Sequence, residues 1–212
     1  MSPAANRRRP GRPAKAEAGD TKNALLDAAL RLFAQNGYAG TSIRAIAREV
    51  GLSESVLYAH FDDKRALYDA AMRLAGPQVA TLAVDDAPDE PAAFVETFAE
   101  QVLAVWDSPR SRQVISLVSR DARMNDEMLE LGIEEALAHL AHRFAGWLAA
   151  GRVRTDLGSP GDLAYALLAP IAHARQLWLH AEATESQRER AHDRIRAHAA
   201  LFARAITPLP PA

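Results

Sequence analysis

Residues 41–67, TSIRAIAREVGLSESVLYAHFDDKRAL, decide how this chain folds. Three helix starts crowd into them, each a capping side chain ahead of apolar residues spaced by three or four. Thr41 precedes Ile43, Ile46, Ala47 and Val50; Ser53 precedes a segment from Glu54 to about His60; Asp62 precedes Leu67, Tyr68, Ala71 and Leu74. Gly51 separates the first from the second. Two short helices joined by a tight glycine-containing turn make a helix-turn-helix, in which Ile43, Ile46 and Val50 pack on Leu52, Val56 or Leu57. The start of the second helix is left free, its amides suited to phosphate and its first side chains directed into whatever groove receives it. Helical hairpins of this spacing also occur as plain structure, so spacing alone leaves both readings open.

Upstream, Asp20 or Thr21 can cap a helix carrying Leu25 or Leu26, Ala29, Leu32 and Phe33, and Asn36-Gly37 supplies its left-handed stop. Before it, Arg7, Arg8, Arg9, Arg12, Lys15 and Lys22 face only Glu17 and Asp20, among Pro3, Pro10, Gly11 and Pro13. Such a segment buries too little to order itself. It reads as a flexible basic arm, residues 1–19, whose natural partner is a polyanion, or else as a solubilising tail. The net charge of −2 conceals this division: residues 1–75 carry 12 Lys+Arg against 8 Asp+Glu, and the rest 13 against 19.

The 212 residues include 45 Ala and no cysteine, so a core must come from packing without disulfides. Ala, Leu and Arg favour helix, and no long stretch alternates as a strand would, giving an all-α fold. No apolar run reaches the ~18 residues of a membrane span, and the basic N-terminus lacks a secretory apolar stretch. A cytoplasmic protein with no membrane partner is expected.

Downstream of Gly76-Pro77 the chain reads as a second unit, residues 76–208, with a tail at 209–212. A loop at 85–89 precedes helices at about 91–107, 109–122, 125–150, 160–180 and 185–206. Ser108-Pro109 and Ser159-Pro160 place a cap before a first-turn proline, and Thr184 with Gln187 forms a capping box. Nine helices result, with Pro170 expected to bend the eighth.

The stretch LLDAALRLFAQNGYAGTSIRAIAREVGLSESVLYAHFDDKRALYDA, residues 25–70, resembles the N-terminal DNA-binding domain of TetR-type transcriptional regulators. The landmarks are Ala28, Phe33, Gly37-Tyr38, Thr41-Ser42-Ile43, Ile46-Ala47, Val50-Gly51-Leu52-Ser53, Leu57-Tyr58, His60-Phe61, Lys64 and Leu67. The resemblance implies a three-helix helix-turn-helix domain over 20–75 and a C-terminal ligand-binding and dimerisation domain. It also implies that Tyr58, His60 and Lys64 hold DNA phosphates, with Thr41, Ser42 and Ser53 offering hydroxyls and amides to the same backbone. Core packing for Tyr58 and a plain surface role for His60 are the alternatives.

Base reading then falls to Arg44 and to Glu54, Ser55 and Val56 in the first turn of the third helix. Arg44 can fork onto guanine, whereas Glu54 either accepts from a cytosine amino group or simply favours the helix dipole. Pro10-Gly11-Arg12-Pro13 resembles the Gly-Arg-Pro minor-groove reader found before such domains, which assigns Arg7, Arg8, Arg9 and Arg12 to a narrow A·T-rich groove.

One short helix reads few bases, so two copies on a palindromic operator, ~34–36 Å apart or a multiple of it, are expected. The resemblance pairs the last two helices across a twofold axis in a homodimer, through Leu163, Leu167, Ile171, Trp178, Ile195, Phe202 and Ile206. Closure of each protomer's own core is the alternative for these residues. It also implies an apolar cavity for a small-molecule effector, lined by Phe94, Phe98, Trp106, Leu117, Met124, Met128 and Trp147, which are otherwise core. Effector binding would re-aim the fourth helix and respace the reading heads, most often releasing a repressor.

Glu135, His139 and His142 share a helix face, yet no cysteine or second His pair supports a metal, and neither a phosphate loop nor a nucleophile elbow is present. Arg120, Arg123, Arg152 and Arg154 suit either an anionic ligand or solvated surface. The sequence thus points to a ligand-responsive DNA-binding regulator without cofactor or catalytic residues. A regulator without small-molecule input, and a helical carrier or enzyme, are its rivals.

Overall fold

The computed structural model describes residues 15–75, 87–120 and 122–208, with side chains described over 19–73, 87–120 and 133–208. Nine helices form among the described residues: α1 (Lys15–Gly40), α2 (Ile43–Glu49), α3 (Glu54–Tyr58), α4 (Lys64–Ala75), α5 (Pro91–Trp106), α6 (Pro109–Arg120), α7 (Ala122–Ala149), α8 (Pro160–Trp178) and α9 (Glu185–Ile206). No strand occurs among them, so the expected all-α class holds. Nor is any described helix long and apolar enough to cross a membrane.

Helix starts follow local chemistry, with some corrections. α1 already runs as helix through the expected caps Asp20 and Thr21, from the first described residue, Lys15. Ser42, not Thr41, caps α2 by accepting from the Ala45 amide at 3.1 Å. Asp63 Oδ1, not Asp62, accepts from the Ala66 amide at 2.7 Å and caps α4. Ser53 stands before α3 with an extended backbone, but its hydroxyl makes no cap bond. Glu90 caps α5 through both carboxylate oxygens, a role that favours its charge at the helix start. Ser159 with Asp162, and Thr184 with Gln187, close two capping boxes.

Two glycines do what other residues would do at a cost. Gly37 (φ 73°, ψ 167°) breaks the helical path of α1. Gly51 (φ 70°) lets Leu52 N–H reach back to Ala47 O at 2.8 Å, a Schellman-type end to α2 that sets the turn into α3.

Two cores result. One gathers Leu25, Leu30 and Phe33 of α1, Ile46 of α2, Leu57 of α3, and Leu67 and Tyr68 of α4. It also takes Val114, Leu117 and Val118 from α6, a helix that in sequence lies well inside the second unit. The other core joins α5, α7, α8 and α9 around Phe94, Phe98, Phe144, Trp147, Leu167, Ile171 and Ile195. Pro170 sits inside α8, which continues on both sides of it.

Candidate nucleic-acid interface

The α2–α3 unit divides cleanly into an inner and an outer face. Ile43, Ile46, Ala47 and Leu57 are buried against α1 and α4, which fixes the hairpin as a rigid projection. Val56 points outward rather than into the hairpin core. Together with Val56, Arg44, Glu54, Ser55 and Tyr58 make up an exposed face. The Arg44 side chain is 84% exposed, and its Nε lies 4.0 Å from Glu54 Oε1, whose side chain is 49% exposed. At that distance and exposure the ion pair holds either group weakly, so DNA can take Arg44 without breaking a strong contact. The two residues read separately from sequence are thus neighbours.

Tyr58 is 52% exposed, which sets aside core packing for its ring. Ser42 and Ser53 are exposed at the starts of α2 and α3. Lys64 is held differently: its Nζ sits 4.3 Å from the Tyr38 ring centroid, and Tyr38 in turn stacks on Phe33 and meets Tyr68 edge-on. A cation placed over a ring by a fixed aromatic cluster is presented in one position. The His60 ring lies against Phe61 at 6.4 Å, half-buried.

Thr41 does not belong to this surface. It is buried, and its hydroxyl lies within hydrogen-bonding distance of Leu32 O at 3.0 Å and Gly37 O at 2.9 Å, tying the α1 bend to α2. With its hydroxyl engaged internally, it has none for a phosphate. The arm residues Arg7, Arg8, Arg9 and Arg12 lie outside the described residues.

The second unit departs further from expectation. Leu163, Leu167, Ile171, Ile195, Phe202 and Ile206 are buried inside the protomer, with Trp178 packed partly buried against the same core, so they close the monomer rather than face a partner. Helical periodicity marks an apolar stripe without saying which neighbour covers it. The exposed faces of α8 and α9 carry Tyr165 and Leu201 instead. The His198 ring, 3.1 Å from Leu167 O, joins α9 to α8 close in sequence to those two residues.

Of the expected cavity residues, Phe94 stacks on Phe98 and meets Trp147 edge-on, and Phe144, not foreseen, links Trp147 to Phe202. Arg143 lies over Phe94 and Trp147 and donates to the Ala87 and Pro88 carbonyls. Leu117 is part of the other core, facing α1, and does not line a cavity here. Met124 and Met128 fall on α7 where side chains are outside the described residues. His139 Nδ1 is 2.8 Å from Glu135 O within its own helix.

Helix α6 ties the two units together, a role that sequence spacing did not reveal. Arg110 Nη2 donates to Asp27 Oδ1 at 2.5 Å, and Arg120 Nη1 donates to Gln35 O at 2.6 Å, both on α1. On the opposite side Ser116 Oγ accepts from the Ala181 amide at 2.9 Å and bonds Glu182 Oε2 at 3.1 Å, in the α8–α9 connection. Burial works against the Glu182 charge, but its own amide, Ser116 and His180 outweigh it and hold the carboxyl below its ordinary value. Arg120 is therefore a tether, while Arg152 and Arg154 pair with Asp89 and Asp156 at the surface.

Residues 25–71 match the family described as bacterial regulatory proteins, tetR family. Over 121 residues the chain is 29% identical to the HTH-type transcriptional regulator AcrR of Shigella flexneri, covering 55% of this chain and 56% of that protein. The match thus spans little more than half of that relative's length. Among solved structures, NalD, the secondary repressor of the MexAB-OprM multidrug efflux pump in Pseudomonas aeruginosa, superposes with a TM-score of 0.69 at 19% identity, over 91% of this chain and 98% of that one. A TetR-family transcriptional regulator from Pectobacterium atrosepticum gives 0.61 at 20% identity, over 94% and 100%. At such identities these likenesses establish the fold. The relative matched by sequence is itself a transcriptional regulator. Residues 25–71 thus carry the likeness to the tetR family of bacterial regulatory proteins, and the all-helical architecture built around them is the fold of the TetR-family structures it superposes on.

Proposed function

We propose that this protein is a homodimeric repressor that binds a palindromic DNA operator and is released by a small molecule. The observation that carries the reading is the outward face of α2–α3, where Arg44, Glu54, Ser55, Val56 and Tyr58 are exposed while Ile43, Ile46 and Leu57 anchor the hairpin from behind. Arg44 reads a guanine edge, and Tyr58, Lys64, Ser42 and Ser53 hold phosphates and set the register. His60, half-buried beside Phe61, stands at the margin of that surface. The arginines at positions 7, 8, 9 and 12 enter the adjacent minor groove.

Two protomers join through the outer faces of α8 and α9, with Tyr165 and Leu201 covered by the partner. The input travels along α6. This helix carries Val114, Leu117 and Val118 into the DNA-binding core and binds the α8–α9 connection through Ser116, so a ligand that shifts α6 shifts α1 with it. Interlocked cores respond to such a shift by moving together rather than by gradual deformation. The expected re-aiming of α4 becomes a consequence of moving α6, since both meet in one core.

The test is an anisotropy titration of inverted-repeat duplexes from the upstream region of the protein's own gene. Binding of two protomers per repeat, weakened in Arg44→Ala, supports the reading. Equal affinity for an unrelated duplex would remove it.

A further inference from the structure

Arg175 on α8 reaches inward to the corner where α5 ends and α6 begins. Its Nη2 donates to Ser111 Oγ at 3.2 Å, and its guanidinium carbon lies 4.6 Å from the Trp106 ring centroid. Nε is sealed from solvent and has no acceptor, although the residue as a whole keeps some contact with water. Burial pushes the guanidinium down to about 10. Among the described residues no carboxylate pairs with it. The arginines nearby are placed otherwise: Arg112 and Arg188 share Asp107, and Arg196 has Glu100. Arg143 also has an unpaired Nε, but its terminal nitrogen is engaged by two backbone carbonyls.

A buried guanidinium without a counter-charge lowers stability, and a well-packed apolar side chain of similar volume would serve the core better. The planar fork of an arginine matches a carboxylate with two parallel N–H donors, and Trp106, a core residue over whose ring the guanidinium lies, is its apolar neighbour. We propose that Arg175 receives the carboxylate of an anionic, partly apolar effector, whose body lies along Trp106. This rests on the small-molecule reading above and names the ligand's chemical class. The site also has a route outward. Ser111 stands in the first turn of α6, next to Arg110, which holds Asp27 of α1. An anion that takes Arg175 from Ser111 therefore acts on the helix that enters the DNA-binding core.

The experiment uses the full chain with naphthalene-2-carboxylate and decanoate, each beside its primary amide and the corresponding primary amine. Melting temperature and release of the operator duplex are both read. The carboxylates should stabilise the protein and release DNA at concentrations about tenfold below those of the amides and amines, the gain from one charge-assisted pair. Arg175→Met should abolish that preference while melting no lower than the parent, because the uncompensated charge is gone. Should that variant not fold, Arg175→Lys, which keeps the charge but not the fork, should weaken the carboxylates by about tenfold. Carboxylates no better than amides, or a preference that survives both substitutions, overturns the proposal. Release by amides or amines would then leave small-molecule control standing, whereas silence from all three classes counts against both.

Discussion

The two cores of this protein are assembled by different rules. The first draws α1, α2, α3 and α4 from one continuous stretch and then borrows Val114, Leu117 and Val118 from a helix some forty residues further on. The second is built from α5, α7, α8 and α9, the helices on either side of the lender. The two units expected on either side of residues 75–76 are therefore not separate in the packing. Under the proposed function this sharing is the route of control, because a ligand held by one core acts on the other only through an element that both require.

Leu117→Ala tests the sharing most severely. Loss of a fully buried leucine should cost about 2–5 kcal/mol, and hydrogen exchange should quicken in α1 and α4 although the substitution lies in the second unit. Faster exchange confined to α7–α9 would mean that the cores are separate. Arg44→Ala sharpens the contrast from the other side. The exposed side chain should contribute about 1–3 kcal/mol to operator binding, with the melting temperature unchanged.

A smaller effect is expected for Arg110→Ala combined with Arg120→Ala. Each tether is about half exposed and should contribute under ~1 kcal/mol to stability, yet without both the calorimetric transition should broaden as the cores unfold less cooperatively. A transition of unchanged sharpness would assign the coupling to Leu117 and its neighbours alone.

The effect confined to acid pH belongs to Asp107, at the junction of α5 and α6. Burial opposes its charge, but hydrogen bonds from Arg112 and His192 and the attraction of Arg112 and Arg188 outweigh it and hold the carboxyl below its ordinary value. Its stabilisation is present above pH 3.8 and disappears as the pH falls through the lower folded value. Asp107→Asn should accordingly flatten the acid limb of the stability curve by on the order of 1 kcal/mol, measured by urea unfolding at stepped pH.

The first core was legible because its signals are local. Gly37 and Gly51 need unusual backbone angles, and Ile43, Ile46 and Ala47 repeat at helical spacing within α2. Thr41 misled for the same reason: as a residue type it suits a helix cap, but burial turned its hydroxyl to the carbonyls of Leu32 and Gly37, and Ser42 took the cap. In the second core the apolar stripes of α8 and α9 were visible, but a stripe does not name what covers it, and Leu163 and Ile195 turned to their own protomer. Arg175, Ser116 and Arg110 carried no signal at all, because their partners lie more than sixty residues away and only the fold brings them together.

The most direct test of the account is the affinity of the full chain for its inverted-repeat operator across a range of salt, with Arg44→Ala, Tyr58→Phe and Thr41→Val compared. The outward α2–α3 face predicts that Arg44→Ala weakens binding about tenfold or more at every salt, and that Tyr58→Phe weakens it less and without regard to sequence. Thr41→Val should lower the melting temperature, with affinity restored wherever the protein is folded. Full affinity in both Arg44→Ala and Tyr58→Phe, on a folded dimer, would contradict it.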